Sequence, residues 1–146
     1  WGLNIPLGTV PLNDGSRVLA YDIPSIRRHQ DTEGDGVADK NSIVYTRFGH
    51  RDTHGMSSSF TRWVDGWIYG CHGFANRSTI TDGSGETTKL YSGNTYRFSN
   101  DGLRLEQFTL GQINPFGITF DASGNSVLQK ARAGNMRRVI APFSTQ

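Results

Sequence analysis

The chain has 146 residues and a single cysteine, Cys71, so no intramolecular disulfide can form and the redox compartment stays open. No apolar run approaches the roughly 18 residues of a membrane span, and no signal peptide opens the chain. It begins at Trp1 without an initiator Met, which reads as a processed protein or a piece of something longer. No phosphate loop, dinucleotide fingerprint, GxSxG elbow or CxxCH haem-attachment motif occurs, which removes the usual sequence signals for those chemistries. Clustered positive charge is also missing from the body. Of fifteen basic residues, Lys130, Arg132, Arg137 and Arg138 follow Asn125 with no acid among them; before that point eleven basic residues face thirteen acidic ones. The pI near 8.9 therefore belongs to the tail, and the body carries no electrostatic footprint for DNA or RNA.

What the chain does hold is glycine and aromatic residues: 18 Gly, 3 Trp, 5 Tyr and 8 Phe, set between short apolar runs. That mixture points to β-structure with many tight turns. Asp-Gly turns flanked by alternating apolar residues mark hairpins. They recur as SFTRWV-DG-WIYGC, with Trp63 and Trp67 placed to brace the strands, and as TYRF-SNDG-LRLEQF. GITF-DASGN-SVL is a third, and Asn13-Asp14-Gly15 precedes one more strand, RVLAYDI. The one helix-like stretch is the tail, NSVLQKARAGNMRRVI, interrupted by Gly134. Serial hairpins fit a propeller, sandwich or barrel. At roughly 40–50 residues per four-stranded blade the chain holds about three blades, fewer than the four or more of a ring. The expectation is an all-β chain: a partial β-propeller over residues 1–125, then a divergent basic tail over 126–146, read as a truncated, frame-shifted or chimaeric end.

DTEGDGVADK carries the clearest chemistry. Asp31, Glu33 and Asp35 occupy positions 1, 3 and 5 of an EF-hand-type spacing over 31–42, Gly36 the sixth, the Val37 carbonyl the seventh and Asp39 the ninth. Calcium takes six to eight oxygens in flexible geometry, so this set suits it, although Ser42 stands at position 12 where a bidentate Glu is usual. A solvated acidic turn is the alternative. HRDTH has the i, i+4 histidines of a zinc helix, but Arg51 replaces the general-base Glu, and Gly49 and Gly55 oppose a helix. His54 alone remains a candidate general base, the alternative being a hydrogen-bonded structural histidine. Cys71 and His72 are adjacent on a strand and face opposite ways, so they form no nucleophile pair. Asn76-Arg77-Ser78 matches a glycosylation sequon, a pattern common by chance.

Five ordered blocks, DTEGDGVADK, FGHRDTHGMSSSF, DGWIYGCHGFANRS, SGNTYRFSNDG and GQINPFGITFDASGN, resemble the planctomycete-type membrane-bound dehydrogenase propellers. Many of those carry a CxxCH haem domain further along, and they are similar to the soluble glucose/sorbosone quinoprotein dehydrogenases. The resemblance runs from about Gly8 to Asn125. It implies a secreted, periplasmic or membrane-attached dehydrogenase propeller acting on a sugar or related alcohol, with a c-type haem domain of the parent protein as electron partner. It places His54, ahead of the Asp65-Gly66 hairpin, as the base beside a pyrroloquinoline quinone, and it brings a calcium loop ahead of the DTHG block. Ile113 stands where the family's turn supplies an Arg to the quinone, and an apolar side chain cannot pair with a carboxylate. The rival reading is a non-catalytic propeller scaffold with structural calcium only.

Overall fold

A computed structural model of the chain describes residues 2–12, 14–110, 114–130 and 137–138. Among these no helix occurs; the elements are antiparallel strands joined by turns. The first sheet is a meander, β1 (Thr9–Pro11), β2 (Arg17–Asp22), β3 (Ser25–Gln30) and β4 (Lys40–Tyr45), in that spatial order. The second contains β5 (Ser57–Arg62), β6 (Ile68–His72), β9 (Asn94–Phe98) and β10 (Leu105–Thr109), again in chain order across the sheet. A separate hairpin, β7 (Ser78–Thr81) with β8 (Thr87–Leu90), is inserted between β6 and β9. The third pairs β11 (Pro115–Phe120), β12 (Ser126–Lys130) and β13 (Arg137–Arg138). The first strands of the three sheets meet: β1 packs on β5, and β11 packs on β5 and β6. These are serial antiparallel sheets, as the recurring hairpins predict for an all-β chain, in an open array in which the described residues close no ring.

Burial explains why β6 reads as IYGCH with no polar alternation. All five of its residues are buried, because the second sheet is covered on both faces. Ile68 faces the larger core with Leu19, Tyr21, Ile26, Tyr45, Phe60, Tyr96 and Phe98 from the first two sheets. Tyr69 and Cys71, one residue out of phase, face the third sheet through Ile118 and Leu128. Burial pushes the Cys71 thiol up to about 12, so it packs as a small apolar group and is no nucleophile. Aromatic edges knit the larger core: Phe98 lies 5.6 Å from Tyr45 and 5.2 Å from Phe60 between ring centroids. Full burial of one such side chain contributes about 1.5–3 kcal/mol. The Tyr45 hydroxyl adds a polar link between sheets, lying 2.9 Å from the Ser99 carbonyl and 2.8 Å from that of Arg104.

The two tryptophans brace the second sheet, though against its surroundings more than against each other. Trp63 stacks on Phe120 of the third sheet at 4.5 Å. Trp67 lies under two guanidiniums, Arg97 at 4.6 Å and Arg104 at 4.8 Å. The third expected hairpin, GITF-DASGN-SVL, formed, and the start of the tail departs from its helix-like reading. Ser126–Lys130 is a strand in register with β11, from Phe120 opposite Ser126 to Pro115 opposite Lys130. Leu128 is fully buried against the second sheet, and that tertiary burial outweighs the local helix propensity of Leu, Gln and Lys. The sheet therefore continues through Asn125; residues 131–136 and 139–146 of the expected divergent tail lie outside the described residues.

Candidate functional site

Two loops leave the same end of the first two sheets and lock together. One, residues 46–56, joins β4 to β5; the other, 73–77, joins β6 to β7. Their backbones touch at glycines. A Cβ at Gly49 would lie 2.2 Å from the Arg77 carbonyl oxygen, one at Gly55 2.5 Å from the Phe74 nitrogen, and one at Gly73 2.7 Å from the Gly55 Cα. Only glycine permits such approach. Across this seam the fully buried Asn76 acts as a staple. Its amide nitrogen donates to the carbonyls of Asp52 and Gly55, both at 2.8 Å, and its side-chain oxygen accepts the Asp52 N–H at 3.1 Å. A side chain so engaged and enclosed is no glycan acceptor in the folded chain, which removes the sequon reading.

A second link lies beneath the first. His72 Nδ1 is 2.9 Å from the Tyr91 carbonyl, which can only accept, so this nitrogen carries the proton. Nε2 then accepts from the Ser78 hydroxyl at 2.7 Å, and the same oxygen accepts the Gly49 N–H at 2.7 Å. Although Ser and His are within hydrogen-bond reach, Ser78 and His72 are buried and the hydroxyl oxygen is committed to Gly49, so the pair is a structural tie. Burial holds the His72 imidazole below its ordinary titration range, partly opposed by its bond to Tyr91. From a third side, Asn114 accepts the Phe74 N–H at 3.0 Å while itself at φ 51°, and Ser92 accepts the Ala75 N–H at 3.2 Å with Ala75 at φ 61°. Left-handed non-glycine residues gathered at one place mark a segment that its surroundings over-determine.

His54 sits on the turn that Asn76 staples. Its side chain is 92% exposed, and its Nδ1 lies 3.4 Å from Asp52 Oδ1, which also accepts the His54 N–H at 2.9 Å. The backbone is rigid while the imidazole is open to solvent. His50 is turned elsewhere, with Nδ1 3.3 Å from the Phe48 carbonyl, so the two histidines of HRDTH share no centre. Beside the turn is an open cleft of about 740 Å³, lined by His50, Arg51, Phe74, Asn76, Arg77 and Ser92 among others, with no acidic residue in its lining.

The 31–42 loop lies elsewhere. It enters β4 while the His54 loop leaves it, so the six residues of that strand, roughly 20 Å at about 3.3 Å each, separate the two. The structure does not bring these sets of expected site residues together. Within the loop the carboxylates organise backbone: Asp31 accepts N–H groups from Glu33, Gly34 and Gly36, Asp35 that of Val37, and Asp39 both the N–H and the hydroxyl of Thr32. The Gly36 and Gly34 bonds lower the Asp31 pKa most, and the Thr32 bonds lower that of Asp39. Among the described residues no three acidic, His or Cys side chains converge as a metal cluster. Ile113 lies outside the described residues.

Sequence reasoning singled out His54 and missed the partners that hold it. Asn76 was readable only as a sequon, Gly49 and Gly55 only as helix breakers, and Gly73 carried no signal at all. The fold and site define an all-β chain of serial antiparallel sheets carrying an exposed histidine and a cationic cleft on a stapled pair of loops. Residues 2–144 match the family described as a domain of unknown function (DUF7133), and the chain belongs to that family. No curated protein and no solved structure matches it. No helix among the described residues is long and apolar enough to cross a membrane.

Two outcomes follow from this geometry. Asn76→Ala leaves buried groups on the 52–55 turn unpaired, each costing about 1–3 kcal/mol, so denaturant unfolding should show a loss of at least about 2 kcal/mol; an unchanged midpoint would contradict the staple. The His72 pKa is lowered on folding, so its contribution is fully present above the unfolded value of 6.5 and is lost as pH falls from there through the folded value. Unfolding midpoints measured from pH 8 to pH 5 should fall across that window, and His72→Gln should flatten the slope.

Proposed function

We propose that this chain is part of a dehydrogenase-type propeller of the quinoprotein class, exported or membrane-attached, in which His54 removes a proton from the hydroxyl of a sugar or related alcohol. The observation that carries this reading is the Asp52–His54 pair on the stapled turn. A carboxylate oxygen 3.4 Å from Nδ1, a charge contact outside hydrogen-bond geometry, favours a proton on that nitrogen and leaves Nε2 to accept one, the polarity a general base needs. Rigid backbone under an exposed ring supplies position without blocking access. The five sequence blocks supply the rest of the class assignment by resemblance.

The chain's own part is confined to binding and proton removal. A quinone, when bound, would take the hydride that leaves the alcohol carbon; with Ile113 in place of a cationic side chain, its carboxylates find no partner at that position, and no step is assigned through it. A haem domain of the parent protein would be the electron partner. Calcium, in this reading, draws on Asp31, Glu33, Asp35, the Val37 carbonyl and Asp39, and stiffens the β3–β4 loop at a distance from His54. The donor set is all hard oxygen, as calcium requires, and the hydrogen bonds of the loop lower the Asp31 and Asp39 pKa values further, favouring their charged forms. The competing scaffold reading is favoured by one observation, the 92% exposure of His54, since nothing among the described residues excludes water from the ring.

Dye reduction with sugars and polyols in the presence of pyrroloquinoline quinone tests the catalytic role. His54→Ala should lower the rate at least a hundredfold with unchanged thermal stability, as loss of a general base typically does; a rate untouched by the substitution would leave the scaffold reading. Calcium is tested separately by thermal unfolding. With a dissociation constant of about 0.1–1 mM, typical of extracellular modules, 10 mM calcium adds roughly 1.4–2.7 kcal/mol. The midpoint should therefore rise by several degrees over a chelator control, and Asp31→Asn should abolish the rise; no shift at 10 mM would exclude the site.

A further inference from the structure

We infer that the cleft beside the stapled loops binds an acidic sugar, with Arg51 and Arg77 on its carboxylate, Phe74 against its ring and Ser92 and His50 on its hydroxyls. This goes beyond proton removal by His54 and stands on the cleft alone. Elsewhere in the described residues the guanidiniums of Arg17, Arg27 and Arg97 face Asp14, Asp22 and Glu106. The two in the cleft form no ion pair with an acid among the described residues, as is also true of Arg28, Arg47 and Arg104, but only these two line one concave site together. Arg77 is steadied over the Tyr91 ring at 5.9 Å, a contact that leaves its planar fork for another partner, and Arg51 has no hydrogen-bond or ion-pair partner among the described residues. Asp52, the acid nearest in sequence, is occupied by His54. Two unpaired guanidiniums lining one concave site form a receptor for an oxyanion, and the fork geometry suits a carboxylate.

The remaining wall identifies what the carboxylate is attached to. Phe74 is 51% exposed in the cleft, and an aromatic face held open to solvent offers the C–H face of a pyranose a flat apolar seat. Ser92 accepts the Ala75 N–H and keeps its own proton to donate to a hydroxyl. His50 points Nδ1 at the Phe48 carbonyl, leaving Nε2 to accept one. Asn76 also lines the cleft, but its amide is spent on the staple and is assigned no ligand contact. One anion receptor, one apolar wall and a donor–acceptor pair together match a polyhydroxylated acid better than a neutral sugar or a simple anion.

Isothermal titration calorimetry of the full chain with glucuronate, glucose and acetate tests this directly. Glucuronate should bind, glucose and acetate each at least tenfold more weakly, and the glucuronate affinity should fall as salt rises. Arg51→Gln and Arg77→Gln, both exposed and outside the staple, should each weaken glucuronate at least tenfold at unchanged thermal midpoint, and Phe74→Ala should do likewise. Equal binding of glucose, equal binding of acetate, or glucuronate binding indifferent to both arginine changes would overturn the assignment. Glucuronate binding without dye reduction would keep this site and refute the dehydrogenase reading; dye reduction of neutral sugars without glucuronate binding would do the reverse.

Discussion

The buried amide of Asn76 joins two loops that lie 24 residues apart in sequence, and every feature of the candidate site depends on that junction. The amide uses both donor hydrogens and its oxygen on the 52–55 turn. Because these groups are enclosed, leaving any of them unpaired is costly, which makes the seam specific as well as stable. Gly49, Gly55 and Gly73 are the steric condition for it, since any side chain there would force the backbones apart. His54, Arg51 and Arg77 are thus exposed side chains on fixed backbone, the usual way a scaffold presents working groups on loops.

The sheets supply the fixed points. The second sheet is buried on both faces, and its central strand β6 ends at His72, whose bonds to Ser78 and Tyr91 carry that rigidity out to the loop at Gly49. The β3–β4 loop is organised by different means. Its carboxylates fold the loop onto its own N–H groups in the open, so whatever it binds would act on local stiffness, roughly one strand length from the cleft.

Much of the fold was legible because its signals are local. Asp65-Gly66 between SFTRWV and WIYGC, and the Ser99–Gly102 turn before LRLEQF, specify hairpins through turn chemistry and alternation, and both formed in the expected places. SVLQK drew two readings, the outgoing strand of the GITF-DASGN hairpin and the start of a helix-like tail; the hairpin formed, and Leu128 packing on Tyr69 and Cys71 decides for it over the local helix preference. The site was half legible. His54 stood out by residue type and neighbours, whereas Asn76, Ser78 and the seam glycines acquire meaning only when two distant loops touch. The cationic cleft was hidden likewise, because Arg51 and Arg77 are far apart in sequence and a guanidinium without a partner is a property of space, not of order along the chain.

The central claim is that the two loops form one locked unit, and amide hydrogen exchange resolved by residue measures it most directly. If the clasp is formed as described, the N–H groups of Gly49, Asp52 and Phe74, which bond to Ser78, Asn76 and Asn114, will exchange nearly as slowly as those of β6. Exchange at the rate of the exposed Val64 turn would show that the loops move independently and that neither the general base nor the cleft has a fixed foundation.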